Sequence, residues 1–598
     1  SRGAGETLPQ LLGDEGDERV QQAQRGLEHV GEHVGRLLGH RGRLFLGDEH
    51  RLGQLQEPVA QLTPEEVVSA EGGVVDGSSP VPSDGTSRTL RLTRDEYDRT
   101  VRDLFGLSME GQRPSDGLPE DDLIEGLRYG TAVTALHIEK ERAAAERIAT
   151  QVLDLVTFVC ISISDDEACG EKVVGTFAPR AFRRPLTDRE SSELLALYRS
   201  QVLPFGRREA VRAVTEALLF SPQFLLKEPR QEPAANGTSA WDSFTRASRL
   251  SYFLTGSMPD DALFTAAASG KLATKSGVRS EAIRLLDGAR GRAYLPELYR
   301  QLFRSERIAG IGRDSRLYPG LTPAAAADLA RGFDAFLRDA VLGTSKEAPG
   351  TVDTLFRGKQ VYFTGTTAPL FGVPGAFDAQ PRGIPFEPDL RGGALLQPGF
   401  LALQARFDGS DPIHRGVFVR RQILCGDLAD PPPNIPVQIP AATDASVPTT
   451  RERFSQHTDP SHPACYSCHQ DIDPIGFAFE GFDGIGRSRT TENGALVDTS
   501  GQVTHTAGTD GPVANAHEMS ERFATSPDVA HCMARHTWLW ALRRPRTIGD
   551  DAVVDRRFTA VLMQGDATTG DLPGFRSLAL AIATDDAFIS APAPDAAR

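Results

Sequence analysis

From residue 89 onward the chain repeats one pattern: a polar capping group, an apolar stripe at helical spacing, then a glycine or proline stop. In RLTRDEYDRTVRDLFGL, Thr93 and Glu96 form a T-x-x-E capping box, and Leu92 with Tyr97 a hydrophobic staple. Tyr97, Val101, Leu104 and Phe105 line one face, and Gly106 supplies the stop. The spacing predicts a helix there and a second from Ala132 to Val156. Thr187 and Glu190 repeat the capping box ahead of Leu194, Leu195 and Tyr198, and a further helix is predicted from Arg207 to Phe220. SRLSYFLTGSMPDDALFTAAASGKL holds two more, the second starting at Pro259 with Asp260 and Asp261 in its first turn. Helix dominates to about residue 345. The periodicity then fades into Gly/Pro-rich chain with β-prone runs such as QVYFTG, before a hairpin signal at Asn493-Gly494 and a helical region from Ala516 to Ala541. The expected fold is mainly α and multi-domain, with minor β and a small loop-rich module near the C-terminus.

Composition marks the module boundaries. Residues 1–70, rich in Gly, Arg, Glu and His, read as a poorly ordered segment, and 71–88 (EGGVVDGSSPVPSDGTSR) as a linker. Helical modules are expected at 89–158, 159–233 and 234–385, the loop-rich module at 386–495, and a C-terminal module at 496–598. Pro431-Pro432-Pro433 predicts a polyproline II strut. The net charge of −16 argues against nucleic acid and anionic membrane as partners. No apolar run approaches the ~18 residues needed to span a bilayer. Arg180, Arg183 and Arg184 could bind an anion, but are expected as a solvated helix approach with local salt bridges.

The strongest chemical signal lies between His457 and Arg489. There Cys465, Cys468 and His469 spell C-x-x-C-H, the attachment signature of a c-type haem. Two thiols three residues apart can each add to one porphyrin vinyl group, and the next residue brings its imidazole under the iron as proximal ligand. Zinc would want a second Cys/His pair at short spacing, and a redox dithiol would open a helix after a strand. Asp459-Pro460 and Pro463 argue for loop at the motif instead. Ile475, Phe477 and Phe479 are expected in the apolar wall of the haem, with Ile472 and Phe482 nearby. Ile475, Phe479 and Phe482 fall on one face of a short helix. For the sixth position, His457 and Met519 are the candidate ligands, and an open distal side is the third option. Glu480 and Asp483 are expected on a helix face or as partners of Arg487 and Arg489. G-x-S-x-G, G-x-x-x-x-G-K-[ST] and H-E-x-x-H are absent.

Several stretches together resemble a family of multi-domain bacterial proteins, first noted in planctomycetes, that combine a cytochrome-c-like module with domains of unknown function. His457, CYSCH and DPIGFAFEGFDGIGRSR resemble the cytochrome-like module, which RGGALLQPGFLAL and RGVFVRRQILCGDLADPPPNIP open. RLTRDEYDRTVRDLFG, FAPRAFRRPLTDRE and SRLSYFLTGSMPDDAL are similar to the three helical modules, and residues 500–590 to the C-terminal one. The resemblance covers roughly residues 89–590 and implies no substrate.

Four cysteines remain. Cys160 and Cys169, nine positions apart across a polar turn, are expected to pair, which leaves Cys425 with Cys532. The alternative is four reduced cysteines buried as small hydrophobes. Thioether attachment normally takes place outside the cytoplasm, so export to the periplasm, envelope or exterior is inferred from the motif, although no signal peptide is visible in this chain. The expected function is an exported haem c protein, an electron carrier or redox subunit with a redox partner protein. The alternatives are a haem-free envelope protein with a metal or disulfide at the same motif, and a haem enzyme of peroxidase or oxygenase type.

Overall fold

The computed structural model describes residues 90–590 except 108–110, 132, 234–238, 346–347, 386–391, 430–447, 462 and 548. The expectations for residues 1–70, the linker 71–88 and the Pro431-Pro432-Pro433 strut lie outside the described residues, as does the side chain of His457.

Helices α1 (Arg94–Phe105), α2 (Ala135–Gln151), α3 (Leu153–Phe158), α4 (Asp166–Phe182), α5 (Asp188–Phe205) and α6 (Arg207–Phe220) surround one apolar core. Both predicted capping boxes form: Thr93 and Glu96 exchange hydrogen bonds at the start of α1, and Thr187 and Glu190 at the start of α5. Gly106 ends α1 at φ 70°, a conformation that suits glycine because it lacks a Cβ. The single helix expected over 132–156 is two, broken at Val152, which leaves helical geometry while its side chain is enclosed in the core. The Arg180–Arg184 reading also needs correction. Arg184 does pair with Glu190, but Arg183 is buried and donates to the carbonyls of Gln223, Phe224 and Leu226. It ties the end of α4 to the segment that follows α6 rather than facing water.

A second, larger core is built from the rest of the chain, with Leu127 and Tyr129 reaching into it. Here α7 (Ser243–Thr255), α8 (Asp261–Ala268), α9 (Lys275–Asp287) and α10 (Pro323–Leu342) pack with α11 (Pro412–Phe418), α12 (Pro463–Phe477), α13 (Ala516–Phe523), α14 (Pro527–Leu542) and α15 (Phe575–Ala583). The terminal helical region divides at 524–526, because Ser526 caps a new helix whose first residue is Pro527. Strand is minor, confined among the described residues to two-stranded antiparallel pairs. QVYF (Gln360–Phe363) pairs with Arg382–Pro385, and Thr491–Glu492 with Ala495–Leu496 around Asn493 (φ 48°) and Gly494 (φ 86°). Among the described residues no helix is long and apolar enough to cross a membrane.

The two cores meet at a buried charged junction. Glu96 of α1 accepts Lys227 Nζ at 2.5 Å and lies 3.4 Å from the Arg543 guanidinium. Arg543 donates to Tyr294 Oη at 2.6 Å and stacks 3.8 Å from the Trp540 ring. Two distant stretches of chain thus converge on one carboxylate, and a third, at Tyr294, holds one of its partners.

Candidate functional site

The C-x-x-C-H motif lies in the first two turns of α12, so the loop expected there is a helix. The physical reason is Pro463 itself: at a first helical position proline lacks only a donor that the helix would not use, and its φ is already helical. Cys465 and Cys468 are free thiols, both half-buried. His469 Nδ1 lies 2.8 Å from Asp473 Oδ1 one turn further on, and Asp473 is fully enclosed. A carboxylate that accepts from Nδ1–H sets the tautomer and places the imidazole lone pair on Nε2, the arrangement that ligating histidines require.

What holds α12 is a close crossing with α11. A Cβ on Gly476 would stand 1.8 Å from the Pro412 carbonyl oxygen, and one on Gly416 would stand 2.1 Å from that of Ile472. Only glycine at both positions allows the backbones to meet. Next to the crossing, the wholly buried Arg415 donates to the carbonyls of Leu401, Phe479, Phe482 and Asp483. Its counter-charge is Glu480 at 3.8 Å, which accepts from Ser410 Oγ and Arg489 at 2.7 Å each. Burial pushes the Glu480 carboxyl up, while Arg489 and Arg415 act against that. Asp483 pairs with Arg487 at 2.7 Å, so both carboxylates take the arginine partners expected of them. The run DPIGFAFEGFDGIGRSR therefore wraps the end of α12 around Arg415 and holds the motif helix in place.

The residues expected around a haem are distributed unevenly. Helix α12 ends at Phe477, so Ile475, Phe479 and Phe482 do not share one helix face; Phe479 follows in a turn and Phe482 in an isolated bridge to Ser488, and all three join the larger core. Phe477 is buried with the Arg451 guanidinium 4.7 Å over its ring. Met519, on α13, is fully enclosed in the larger core.

Both cysteine pairs are bonded as expected: Cys160 to Cys169 and Cys425 to Cys532, with Cα atoms 5.3 and 5.4 Å apart. Three features lay beyond the sequence reading. One is Asp473, whose signal was the H-x-x-x-D spacing. A second is the place of His536, in sequence terms one of the downstream candidates for the sixth haem ligand: it lies one turn after Cys532 on α14, with Nε2 3.5 Å from Cys532 Sγ and 3.7 Å from Cys425 Sγ. Burial, with Arg535 beside it, pushes this imidazole down to about 3, so it is neutral. The third is the Asp411–His414 pair at 2.6 Å, which opens from α11 onto a cleft of about 1140 Å³ also lined by Arg304, Asp314 and Phe407. The hydrogen bond to Asp411 raises the His414 pKa.

Comparison with protein families matches four regions in series. Residues 90–154 match PSD3, a protein of unknown function (DUF1587), and 169–227 match PSD5 (DUF1595). Residues 242–373 match PSD4 (DUF1592), and 391–492, which contain the C-x-x-C-H helix, match PSCyt3 (DUF1588), all likewise proteins of unknown function. Neither a curated protein nor a solved structure matches the chain. The chain is thus a multi-domain protein of the planctomycete cytochrome-c-like type, assembled from PSD3, PSD5, PSD4 and PSCyt3 domains whose functions are unknown.

Proposed function

We propose that the chain is an exported c-type haem protein acting as an electron carrier or redox subunit toward a redox partner protein. The observation that carries this reading is the donor set on α12: two unbonded thiols, and an imidazole whose Nδ1 is engaged by the enclosed Asp473. That set fits a covalently attached haem, which when bound supplies one-electron chemistry. Cys465 and Cys468 would form the thioethers, and His469 would ligate through Nε2. Asp473 would hold the Nδ1 proton, and Phe477, Ile475 and Phe479 would contribute the apolar surroundings. For the sixth ligand, His457 and Met519 stand as the candidates. The two disulfides, set against two free thiols, support an oxidising compartment such as the periplasm or cell envelope. We further propose that the modules divide at 158/159, 233/234, 385/386 and 495/496, with the helical ones framing the haem-bearing part.

A second reading, in which the same thiols hold a metal ion in a haem-free envelope protein, is favoured by one observation. Ile475 and Phe479 are already packed in the larger core. The experiment that separates the two is a haemochrome spectrum of protein matured in a periplasm with the c-type attachment machinery. Covalent haem that survives denaturation, loses one thioether in Cys468→Ala and changes its absorption spectrum in His469→Ala supports the first reading. Colourless protein that binds zinc through the same thiols supports the second.

A further inference from the structure

We propose that Cys425, Cys532 and His536 form a redox-gated site for a thiophilic closed-shell cation of the Cu(I) or Zn(II) class, alternating with the disulfide. The three donor atoms lie within 4.8 Å of one another. Cys532 and His536 stand at i and i+4 on α14, which places them on one face, and both are fully buried. Cys425 arrives from the turn after the π-helical Val419–Ile423, held in left-handed backbone at φ 52°. Two thiolates and one neutral imidazole make a soft donor set, and thiolate sulfur selects Cu(I) and Zn(II) over harder ions. The Gln422 carbonyl oxygen, 3.1 Å from His536 Nε2 and 3.4 Å from Cys532 Sγ, stands where a fourth donor would complete a zinc site.

The imidazole is held against the sulfurs by one hydrogen bond. A disulfide has no need of a histidine against its sulfurs, and buried polar nitrogens are normally hydrogen-bonded. His536 Nε2 faces both sulfurs and donates its hydrogen to the Gln422 carbonyl at 3.1 Å, while Nδ1 is buried without a hydrogen-bond partner. The Gln422 bond keeps Nε2 aimed at the two sulfurs, where a cation would lie once they are parted.

The step from one state to the other balances with a dithiol as reductant. Its thiolate attacks Cys425 Sγ, the half-buried sulfur, and the S–S bond breaks with Cys532 as leaving group. The second thiol of the reductant then closes its own disulfide and releases Cys425. Two electrons and two protons pass to the chain. Cation binding afterwards displaces both thiol protons to solvent, and His536 shifts its ring proton from Nε2 to Nδ1, which frees the Nε2 lone pair to ligate.

The test uses the full-length chain carrying Cys160→Ser, Cys169→Ser, Cys465→Ser and Cys468→Ser, which leaves Cys425 and Cys532 as its cysteine pair. Opened with dithiothreitol, freed of it anaerobically and titrated with Co(II) as a spectroscopic stand-in for zinc, it should show a thiolate-to-metal charge-transfer band saturating at one ion per chain. In parallel it should draw Cu(I) from the bicinchoninate complex; Cu(I) uptake without a Co(II) band assigns the site to the cuprous class. The unreduced chain should do neither. His536→Ala should weaken binding at least about tenfold, and Cys425→Ser should abolish it. A reduced chain that takes up neither ion, a disulfide that opens only when the protein unfolds, or unchanged affinity in His536→Ala overturns the proposal. Should His536→Ala fail to fold, the Cys425→Ser chain decides: tight binding retained there overturns it equally.

Discussion

Replacing Glu96 by glutamine tests whether charge locks the chain together at its junction. Glu96 is 1% exposed, with Lys227 at 2.5 Å on one oxygen and Arg543 at 3.4 Å on the other. Burial opposes its charge, but Lys227 and Arg543 outweigh burial and hold the carboxyl below its usual range. Burial in turn pulls the Lys227 ammonium down to about 8, with Glu96 acting to hold it up. Glutamine preserves the shape and can still accept the Thr93 N–H at 3.0 Å, so the cap largely survives. Complete loss of that cap would cost only about 1 kcal/mol. The larger effect is two buried cations without a counter-charge; breaking one partner out of a buried pair costs roughly 3–5 kcal/mol. Lys227 titrates within reach of neutral pH and can shed its proton, which places the expected loss near the lower end, about 3 kcal/mol. Pairing Glu96→Gln with Lys227→Met should recover at least half of that, since removing both partners of a buried pair is close to neutral. The assay is urea unfolding of the full chain followed by tryptophan fluorescence, to which Trp540 contributes from 3.8 Å beside Arg543. A loss below about 1 kcal/mol in the single variant, or no recovery in the double one, refutes the argument.

Three other outcomes follow from the geometry. Gly476→Ala places a methyl 1.8 Å from the Pro412 carbonyl oxygen, so the α11–α12 crossing should open at a cost near the upper end of the ~1–3 kcal/mol typical of overpacking. Thermal unfolding measures this, and wild-type stability would mean that the crossing relaxes freely. Glu141 is 4% exposed, and burial lifts its carboxyl to about 7 against the pull of Arg91. Because the folded pKa is raised, its contribution is fully present below the unfolded value of 4.5 and is lost as pH rises through about 7. Wild type should therefore lose on the order of 3 kcal/mol across that window, a slope that Glu141→Gln removes; identical urea midpoint shifts between about pH 4 and pH 8 would contradict it. In haem-loaded protein, Asp473→Asn should raise the reduction potential by on the order of tens of millivolts by weakening the hold on His469 Nδ1. Redox titration reads this directly, and an unmoved potential would reduce Asp473 to a structural role.

Much of the local architecture follows from neighbours within a turn or two. The Thr93–Glu96 and Thr187–Glu190 boxes, the Gly106 stop, the Asn493-Gly494 hairpin and the Cys160–Cys169 bond all depend on residues a few positions apart, so the linear order already contains them. The C-x-x-C-H spacing belongs to the same class, because it is a statement about one helical turn. Its setting does not. Proline signals at 460 and 463 suggested loop, whereas Pro463 opens a helix that the crossing with α11 and the Arg415 network hold in place. Glu96 shows the division within a single side chain. Its role in the cap was legible from Thr93 three residues earlier, while its ion pairs with Lys227 and Arg543 span 131 and 447 positions of sequence. His536 beside the Cys425–Cys532 sulfurs and the glycine pair at the α11–α12 contact are of the same kind. Capping, turns and short loops are fixed by sterics and hydrogen bonds among adjacent residues. Which distant groups share a buried site is decided only when helices pack, because that choice minimises unpaired charge and empty volume over the whole chain at once.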